Sequence, residues 1–146
     1  MSQPLERMIP SPAAWCGRSW EGLVDRRHAA FQQALALRSA NVANSSQVVT
    51  EFLAFFDETG IGLFRNEEEW IFSELRPTPR AVLRALEDHI EISGLIRVLL
   101  SDAQMDQVAL GVIQLLGELL EAHLLFEEEE IRPLLRGDRP TLQPVR

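Results

Sequence analysis

A helix with a histidine and a glutamate on its apolar face is the feature that most constrains this chain. His123 and Glu127 lie four residues apart, which places them one turn apart on the same face of a helix. Val112, Leu116 and Leu119 lead up to that face at helical spacing. Because burying a charged group without a partner is costly, this face predicts a partner such as a metal ion bound by further helices.

The remainder of the chain also predicts helices. Leucine, alanine and glutamate dominate a sequence that is 46% hydrophobic, and there are no convincing alternating runs typical of strands. The 146 residues suit one domain with one core. Amphipathic helices joined by short loops favour an all-α, up-down-up-down four-helix bundle. We predict the helices over about residues 21–40, 47–75, 79–100 and 102–135, the last of them capped by Ser101 and Asp102.

Two segments flank the predicted bundle, which covers residues 19–136. Residues 1–18 contain three prolines and little periodicity, so we expect an irregular lead-in that Trp15 and Trp20 pack onto the bundle. Residues 137–146 are rich in proline and predict a frayed tail.

Charge and composition limit the classes of partner. The formal net charge of −8 argues against nucleic acid and against anionic membrane surfaces as main partners. No apolar run reaches the roughly 18 residues of a membrane span, and residues 1–20 lack the apolar segment typical of a secretory signal. The single cysteine, Cys16, excludes a disulfide framework and a thiolate cluster for zinc. We therefore expect a cytoplasmic protein, and its oligomeric state stays open.

The chain contains an internal repeat. Residues 63–71 align with residues 123–131, and each segment contains three consecutive glutamates followed two positions on by an isoleucine. Glu67 therefore corresponds to Glu127, and both fall on the inner stripes of their helices. We expect the other glutamates of the two runs to be exposed, namely Glu68, Glu69, Glu128 and Glu129.

Each half also contributes a histidine from its first helix. His28 lies on a stripe with Val24, Phe31 and Leu35, and His89 lies on the inner stripe of the third predicted helix. With His123, all three histidines of the chain are thus predicted to point inward, from the first, third and fourth helices.

This pattern resembles the hemerythrin-like (HHE cation-binding) family, in which helices 1 and 3 carry a histidine and helices 2 and 4 carry a His-x-x-x-Glu pair. The resemblance covers about residues 20–136 and includes Phe64, the segment Leu86-Glu-Asp-His89 and Pro133. It implies a four-helix bundle around a non-haem di-iron centre. Carried over residue by residue, it implies the metal ligands His28, Glu67, His89, His123 and Glu127.

Leu63 departs from the family pattern. It stands where the family has the histidine of its helix-2 pair, and leucine binds no metal. The resemblance implies that Glu67 and Glu127 bridge two irons and that the histidines of helices 3 and 4 bind one of them. The other iron would keep His28 and the two bridges. Water could complete that position, or the protein could bind a single metal ion.

Two functions remain open at this point, and neither establishes an enzyme. In the first, a non-haem iron protein binds or reacts with a small ligand such as O2, NO or peroxide, in sensing, oxidative-stress or iron handling. An open coordination position beside Leu63 favours reaction over reversible oxygen carriage. In the second, a metal-free bundle serves as a protein-interaction or regulatory module. Zinc or manganese in place of iron also suits imidazole and carboxylate ligands.

Overall fold

The computed structural model describes residues 19–135, and these residues form four long helices and no strand. The predicted all-α bundle is confirmed. The expectations for the lead-in, for Trp15 and for the tail lie outside the described residues. None of the helices in the described range is both long and apolar enough to cross a membrane. We label the helices α1 (Trp20–Arg38), α2 (residues 45–74), α3 (Arg80–Gln104) and α4 (residues 110–135).

The four helices share one apolar core with a polar layer across it. α1 and α4 run antiparallel: Arg27 lies beside Glu127, whereas Ala34, further along α1, approaches Gly117, which is earlier on α4. Trp20, at the start of α1, is buried as expected. The largest fully buried apolar side chains come from all four helices, and they are Leu23, Leu37, Phe52, Leu63, Ile71, Ile92, Leu99, Ile113, Leu116 and Ile131.

α1 turns a different face inward from the one that its larger apolar residues predict. Its buried residues are Trp20, Leu23, Arg27, Ala30, Ala34 and Leu37. The predicted stripe through Val24 and His28 lies one residue further along, which is about 100° around the helix. Val24 is 41% exposed, and His28 is exposed as well. The prediction that His28 points inward is therefore wrong.

Small residues on this inner face bring α1 close to α4. A Cβ atom added to Gly117 would lie 2.4 Å from the backbone nitrogen of Arg38 and 2.8 Å from the carbonyl oxygen of Ala34. No side chain fits at such distances, because real Cβ contacts are wider. The close approach fixes how α1 and α4 sit against each other, and with it the place where Arg27 meets Glu127.

α2 and α4 are not uniform α-helices. α2 consists of Ser45–Phe55, a π-helical segment Phe56–Gly60, Ile61–Asn66, a second π-helical segment Glu67–Ile71 and a 3₁₀ turn Phe72–Glu74. α4 consists of Leu110–Phe126, a π-helical segment Glu127–Ile131 and Arg132–Leu135. π-helical segments are rare and frequently occur at functional sites. Here, two of them begin at the two repeat-related glutamates.

The boundary between α3 and α4 lies later than predicted. Ser101 and Asp102 do not cap α4, because α3 continues through them to Gln104 and α4 begins at Leu110. Asp106, two residues after the last residue of α3, has a positive φ of 58°, the left-handed conformation that closes many helices. The backbone N–H of Gln107 then donates to the Asp102 carbonyl oxygen at 2.8 Å.

Candidate metal centre

Five charged or polar side chains are buried among the described residues: Arg27, Glu67, His89, His123 and Glu127. They form a layer across the bundle, with at least one contribution from each helix. Each of the two histidines and two glutamates offers one ligand atom, and these four atoms all lie within 4.8 Å of one another. Imidazole nitrogens and carboxylate oxygens at such separations could hold a metal ion.

The two glutamates reach the core from equivalent places in the two halves. Glu67 opens the π-helical segment of α2, where the N–H of Phe72 donates to its carbonyl oxygen. Glu127 opens the corresponding segment of α4, where the N–H of Arg132 does the same. The wider turn keeps residues four apart on the inner face, so Ile71 and Ile131 are buried below the two carboxylates.

His89 is held on both ring nitrogens and on both faces. Its Nε2 lies 3.1 Å from Glu67 Oε1, and its Nδ1 donates a hydrogen bond to Glu68 Oε2 at 2.7 Å. The Phe64 ring stacks on the imidazole with centroids 4.0 Å apart, and Phe72 lies 5.7 Å away. Glu68 was expected to be exposed, and it is only partly so, because its carboxylate turns toward α3.

His123 has the same arrangement with a different acidic partner. Its Nδ1 donates a hydrogen bond to Asp88 Oδ2 at 3.0 Å, which directs its Nε2 toward the core. That nitrogen lies 3.0 Å from Glu127 Oε2. A carboxylate on the outer nitrogen of a histidine is the usual support of a metal-binding imidazole, since it fixes the tautomer and the ring orientation.

Arg27 contacts the remaining oxygens of both glutamates. Its Nη1 donates to Glu67 Oε2 at 2.6 Å and to Glu127 Oε1 at 2.5 Å. Its Nη2 donates to the carbonyl oxygen of Leu124 at 3.0 Å. The guanidinium also lies over the Trp20 ring, 4.1 Å from the centroid. Arg27 therefore ties the two carboxylates together from the side opposite the histidines.

The structure brings together four of the five predicted ligands. Glu67, His89, His123 and Glu127 form the group, whereas His28 lies outside it with an exposed side chain. Leu63 is fully buried in the core, where it lines a small apolar cavity. Its burial follows from its place one turn before Glu67 on the inner face of α2.

The surrounding carboxylates favour protonated imidazoles in the absence of a metal ion. Burial alone would lower the pKa of His89, but hydrogen bonds to the surrounding glutamates outweigh it and raise the pKa to about 11. Burial also opposes the charged form of His123, yet the charge of Glu127 and the hydrogen bond to Asp88 raise its pKa. His89 therefore holds an extra proton at neutral pH when no metal ion is bound, and the pKa of His123 is shifted in the same direction.

The two carboxylates differ in their electrostatic surroundings. Burial, together with the charge of Glu127, raises the pKa of Glu67. Glu127 is equally buried, but its interactions with His123, His89 and Arg27 outweigh burial and lower its pKa well below the usual value. Glu127 is thus the carboxylate that stays ionised over the widest pH range.

Two buried atoms test whether the group suits a metal ion. Within residues 19–135, neither His123 Nε2 nor Glu127 Oε2 has a hydrogen-bond partner, although they lie 3.0 Å apart. Buried polar atoms are nearly always satisfied, so such a pair calls for an explanation. A metal ion placed between the histidines would accept electron pairs from both atoms. The donor set therefore suits a metal ion.

Sequence reasoning missed three residues of the site: Arg27, Glu68 and Asp88. Each is the chain neighbour of a residue that was predicted to be a ligand, and a neighbour points about 100° away on a helix. For Glu68 and Asp88, the available signal was an acidic residue directly beside a ligand, where it can reach the histidine of the next helix. For Arg27, the signal was the stripe formed with Leu23 and Ala30, which the larger apolar residues of α1 obscured.

The described residues form a helical bundle whose facing helices bring together a buried group that could hold a metal ion. The family model described as the hemerythrin HHE cation binding domain matches residues 22–135. The chain belongs to this family, as the resemblance predicted. Comparisons with curated proteins and with solved structures give no match.

Proposed function

We propose that this chain binds a transition-metal ion through Glu67, His89, His123 and Glu127, and that iron is the ion. One observation carries the proposal. Four buried ligand atoms converge within 4.8 Å, and two of them, His123 Nε2 and Glu127 Oε2, lack hydrogen bonds in the described part of the chain. The family supports iron, while the ligand types also suit zinc and manganese.

The side chains of this chain would position the ion and control its surroundings. His89 and His123 would bind through Nε2, because Glu68 and Asp88 occupy their Nδ1 atoms. Each carboxylate would offer one oxygen only. Iron bound in this way would supply electron exchange and open coordination positions.

We further propose that the open positions take a small ligand such as O2, NO or peroxide, in sensing, oxidative-stress or iron handling. The apolar walls of the core keep bulk water away from the site, and Leu63 provides part of that wall. A surface groove of about 240 Å³ is lined by residues that include Arg27, Phe31 and Glu128. A small molecule in this groove would lie next to Arg27.

Reaction or sensing, rather than reversible oxygen carriage, is the form of this function that we propose. A carrier needs full control of every ligand position, and this chain has leucine where the family has its helix-2 histidine. The test is oxygen exposure of the Fe(II)-loaded protein, followed by its absorption spectrum under cycles of oxygen and argon. A stable adduct that forms and disappears reversibly would overturn this part of the proposal.

Loading with Fe(II) under anaerobic conditions tests metal binding itself. Elemental analysis after removal of free iron should give iron bound to the chain, and addition of NO should change its EPR spectrum. The chain in which His123 is replaced by alanine serves as the matched control and should retain little iron. Equal iron in both proteins would overturn the ligand assignment.

A metal-free bundle with an interaction or regulatory role is the second candidate. The observation that favours it is Arg27, which pairs with both carboxylates and so lowers the cost of burying them without a metal ion. Less than about half an equivalent of iron per chain after loading would favour this candidate. The unsatisfied atoms of His123 and Glu127 favour the first.

A cytoplasmic location and the absence of nucleic-acid partners remain parts of the proposal. The net charge of −8 supports the second of these, since phosphate backbones attract basic surfaces.

A further inference from the structure

Each of the two buried carboxylates faces two different cations with its two oxygens. Glu67 turns Oε1 toward His89 Nε2 at 3.1 Å and Oε2 toward Arg27 Nη1 at 2.6 Å. Glu127 turns Oε2 toward His123 Nε2 at 3.0 Å and Oε1 toward the same guanidinium nitrogen at 2.5 Å. A pair of carboxylates arranged in this way could bridge two cations, and one of the two places already holds Arg27.

Arg27 is fixed in that place by two further contacts and by its burial. Its second terminal nitrogen donates to the Leu124 carbonyl oxygen, its guanidinium lies over Trp20, and only 5% of the residue is exposed. Arginine keeps its proton in proteins, so this positive charge is permanent. A metal ion could enter beside it only by displacing a buried cation that has several partners.

Beside Arg27, the described part of the core lacks both nitrogen ligands that the family implies for a second ion. Leu63, at the position of the missing histidine, lines an apolar cavity of about 10 Å³ together with Ala30, the residue one turn after Arg27. His28, the other nitrogen ligand that the family implies, is exposed. An ion on this side would compete with the guanidinium for the two carboxylate oxygens, and the further carboxylate near Arg27, that of Glu128 at 3.9 Å from Nε, is 42% exposed.

Charge balance leads to the same arrangement. Two buried carboxylates next to two metal ions need further anionic or bridging ligands, whereas one divalent ion and one guanidinium balance them more closely. The acceptors that the guanidinium uses are also those that a second ion would need, so the two cannot bind together. The family's two-metal arrangement does not fit this chain.

We propose that Arg27 replaces the second metal ion of the family's centre and that the site holds one divalent ion beside a permanent guanidinium. This inference rests on the proposed metal binding and adds the number of ions and the identity of the second cation. It makes Arg27 a positioning residue, which holds the unused oxygens of Glu67 and Glu127 and so leaves each carboxylate one oxygen for the ion.

Anaerobic titration with Co²⁺ tests the proposal, because cobalt reports both the stoichiometry and the coupling between ions. The full chain should bind one equivalent, and its EPR signal should grow in proportion until that equivalent is complete. Two equivalents, or a signal that weakens as a coupled pair forms, would overturn the inference while leaving metal binding intact. No bound cobalt would overturn both the inference and the proposed function.

Variants test whether Arg27 or Leu63 prevents a second metal ion from binding. Leu63→His supplies the missing ligand but keeps the guanidinium, so it should still bind one equivalent. Leu63→His combined with Arg27→Ala should bind two. Leu63→His combined with Arg26→Ala is the matched control and should bind one, because Arg26 contacts Asn66 rather than the carboxylates.

Each result of this series of variants either supports or overturns the inference that Arg27 replaces a second ion. A second ion in the Leu63→His protein would show that Arg27 does not exclude it, and the inference would fail. One ion only in the folded Arg27→Ala double variant would do the same. Circular dichroism establishes whether each variant is folded. If the double variant does not fold, the number of ions bound by the unmodified chain and by Leu63→His still tests the inference.

Discussion

Arg27 Nη1 lies 2.5 Å from Glu127 Oε1, and this ion pair joins α1 to α4 inside the core. The opposite oxygen of Glu127 lies 3.0 Å from His123 Nε2. One carboxylate therefore separates a permanent cation from the place where a metal ion would bind. The stability of the metal-free protein and its metal affinity should both depend on this arrangement.

Replacement of Arg27 should destabilise the metal-free protein strongly. Arg27→Gln removes the guanidinium partner of two buried carboxylates, and breaking a buried ion pair typically costs about 3–5 kcal/mol of unfolding free energy. Arg26→Gln removes one hydrogen bond to Asn66 at the edge of the core and should cost about 1 kcal/mol or less. Urea unfolding in the presence of a chelator measures both. Equal losses in the two variants would contradict the structural role of Arg27.

Replacing the exposed His28 and replacing the buried His123 should have different effects on metal affinity. His28→Ala removes an exposed side chain and should leave metal affinity unchanged. His123→Ala removes a buried ligand atom and should lower the affinity at least about a hundredfold, and Glu127→Ala should remove most bound metal. Metal-competition titrations with a coloured chelator measure the affinities. A large effect of His28→Ala would return that residue to the ligand set.

The acidic partners of the histidines should tune the affinity without being ligands. Glu68→Ala and Asp88→Ala each free an imidazole Nδ1 and should weaken metal binding about 10–100-fold. Asp88→Asn keeps an acceptor and should recover part of the loss. Glu69→Ala changes an exposed neighbour and is the control. If the Glu69 variant loses as much affinity as the other two, general surface charge rather than orientation explains the effect.

Metal binding should release protons and strengthen as the pH rises. The pKa of His89 is raised to about 11, so this ring is protonated at neutral pH without a metal ion, and the pKa of His123 is raised as well. The ion requires neutral rings, and each displaced proton makes the affinity increase about tenfold per pH unit below the pKa of its group. Calorimetry in buffers of different ionisation enthalpy counts the protons, and release of none would contradict the assignment.

The contact between α1 and α4 should not tolerate a side chain at Gly117. A Cβ there would meet the Arg38 backbone at 2.4 Å, so Gly117→Ala should destabilise the protein by about 1–3 kcal/mol. Gly94 lies within α3, and a Cβ added there meets no described atom within 4 Å, so Gly94→Ala should stabilise by up to about 1 kcal/mol. Thermal unfolding compares the two. A neutral Gly117→Ala would mean that the helices lie further apart.

Much of the fold followed from the sequence because its signals were local and repeated. The helical spacing of apolar residues and the repeat around Glu67 and Glu127 predicted both the bundle and the two carboxylates at its centre. The predicted start of α4 was wrong because Ser101 and Asp102 are residue types that commonly cap the N-terminus of a helix. The inner stripe of α3 nevertheless continues past Leu99 to Ala103, which packs against the core, so packing extends the helix beyond the local capping signal.

A site residue was predicted when its side chain was a common metal ligand and its helical position indicated an inward face. Residues that lacked either signal were missed. On α1, the large residues Val24 and Phe31 suggested a face that included His28. The face that packs is built from small residues such as Ala30 and Ala34, which permit the close approach to α4. A buried arginine has no apolar signature, so Arg27 became visible only through its contacts with the two carboxylates.

Anomalous diffraction at the iron edge from crystals grown anaerobically with Fe(II) tests the central claim most directly. We expect one peak, within coordination distance of His89 Nε2, His123 Nε2 and one oxygen each of Glu67 and Glu127. The Arg27 guanidinium should remain on the other two oxygens. Two peaks, a peak in the place of the guanidinium, or no peak in the group would contradict it.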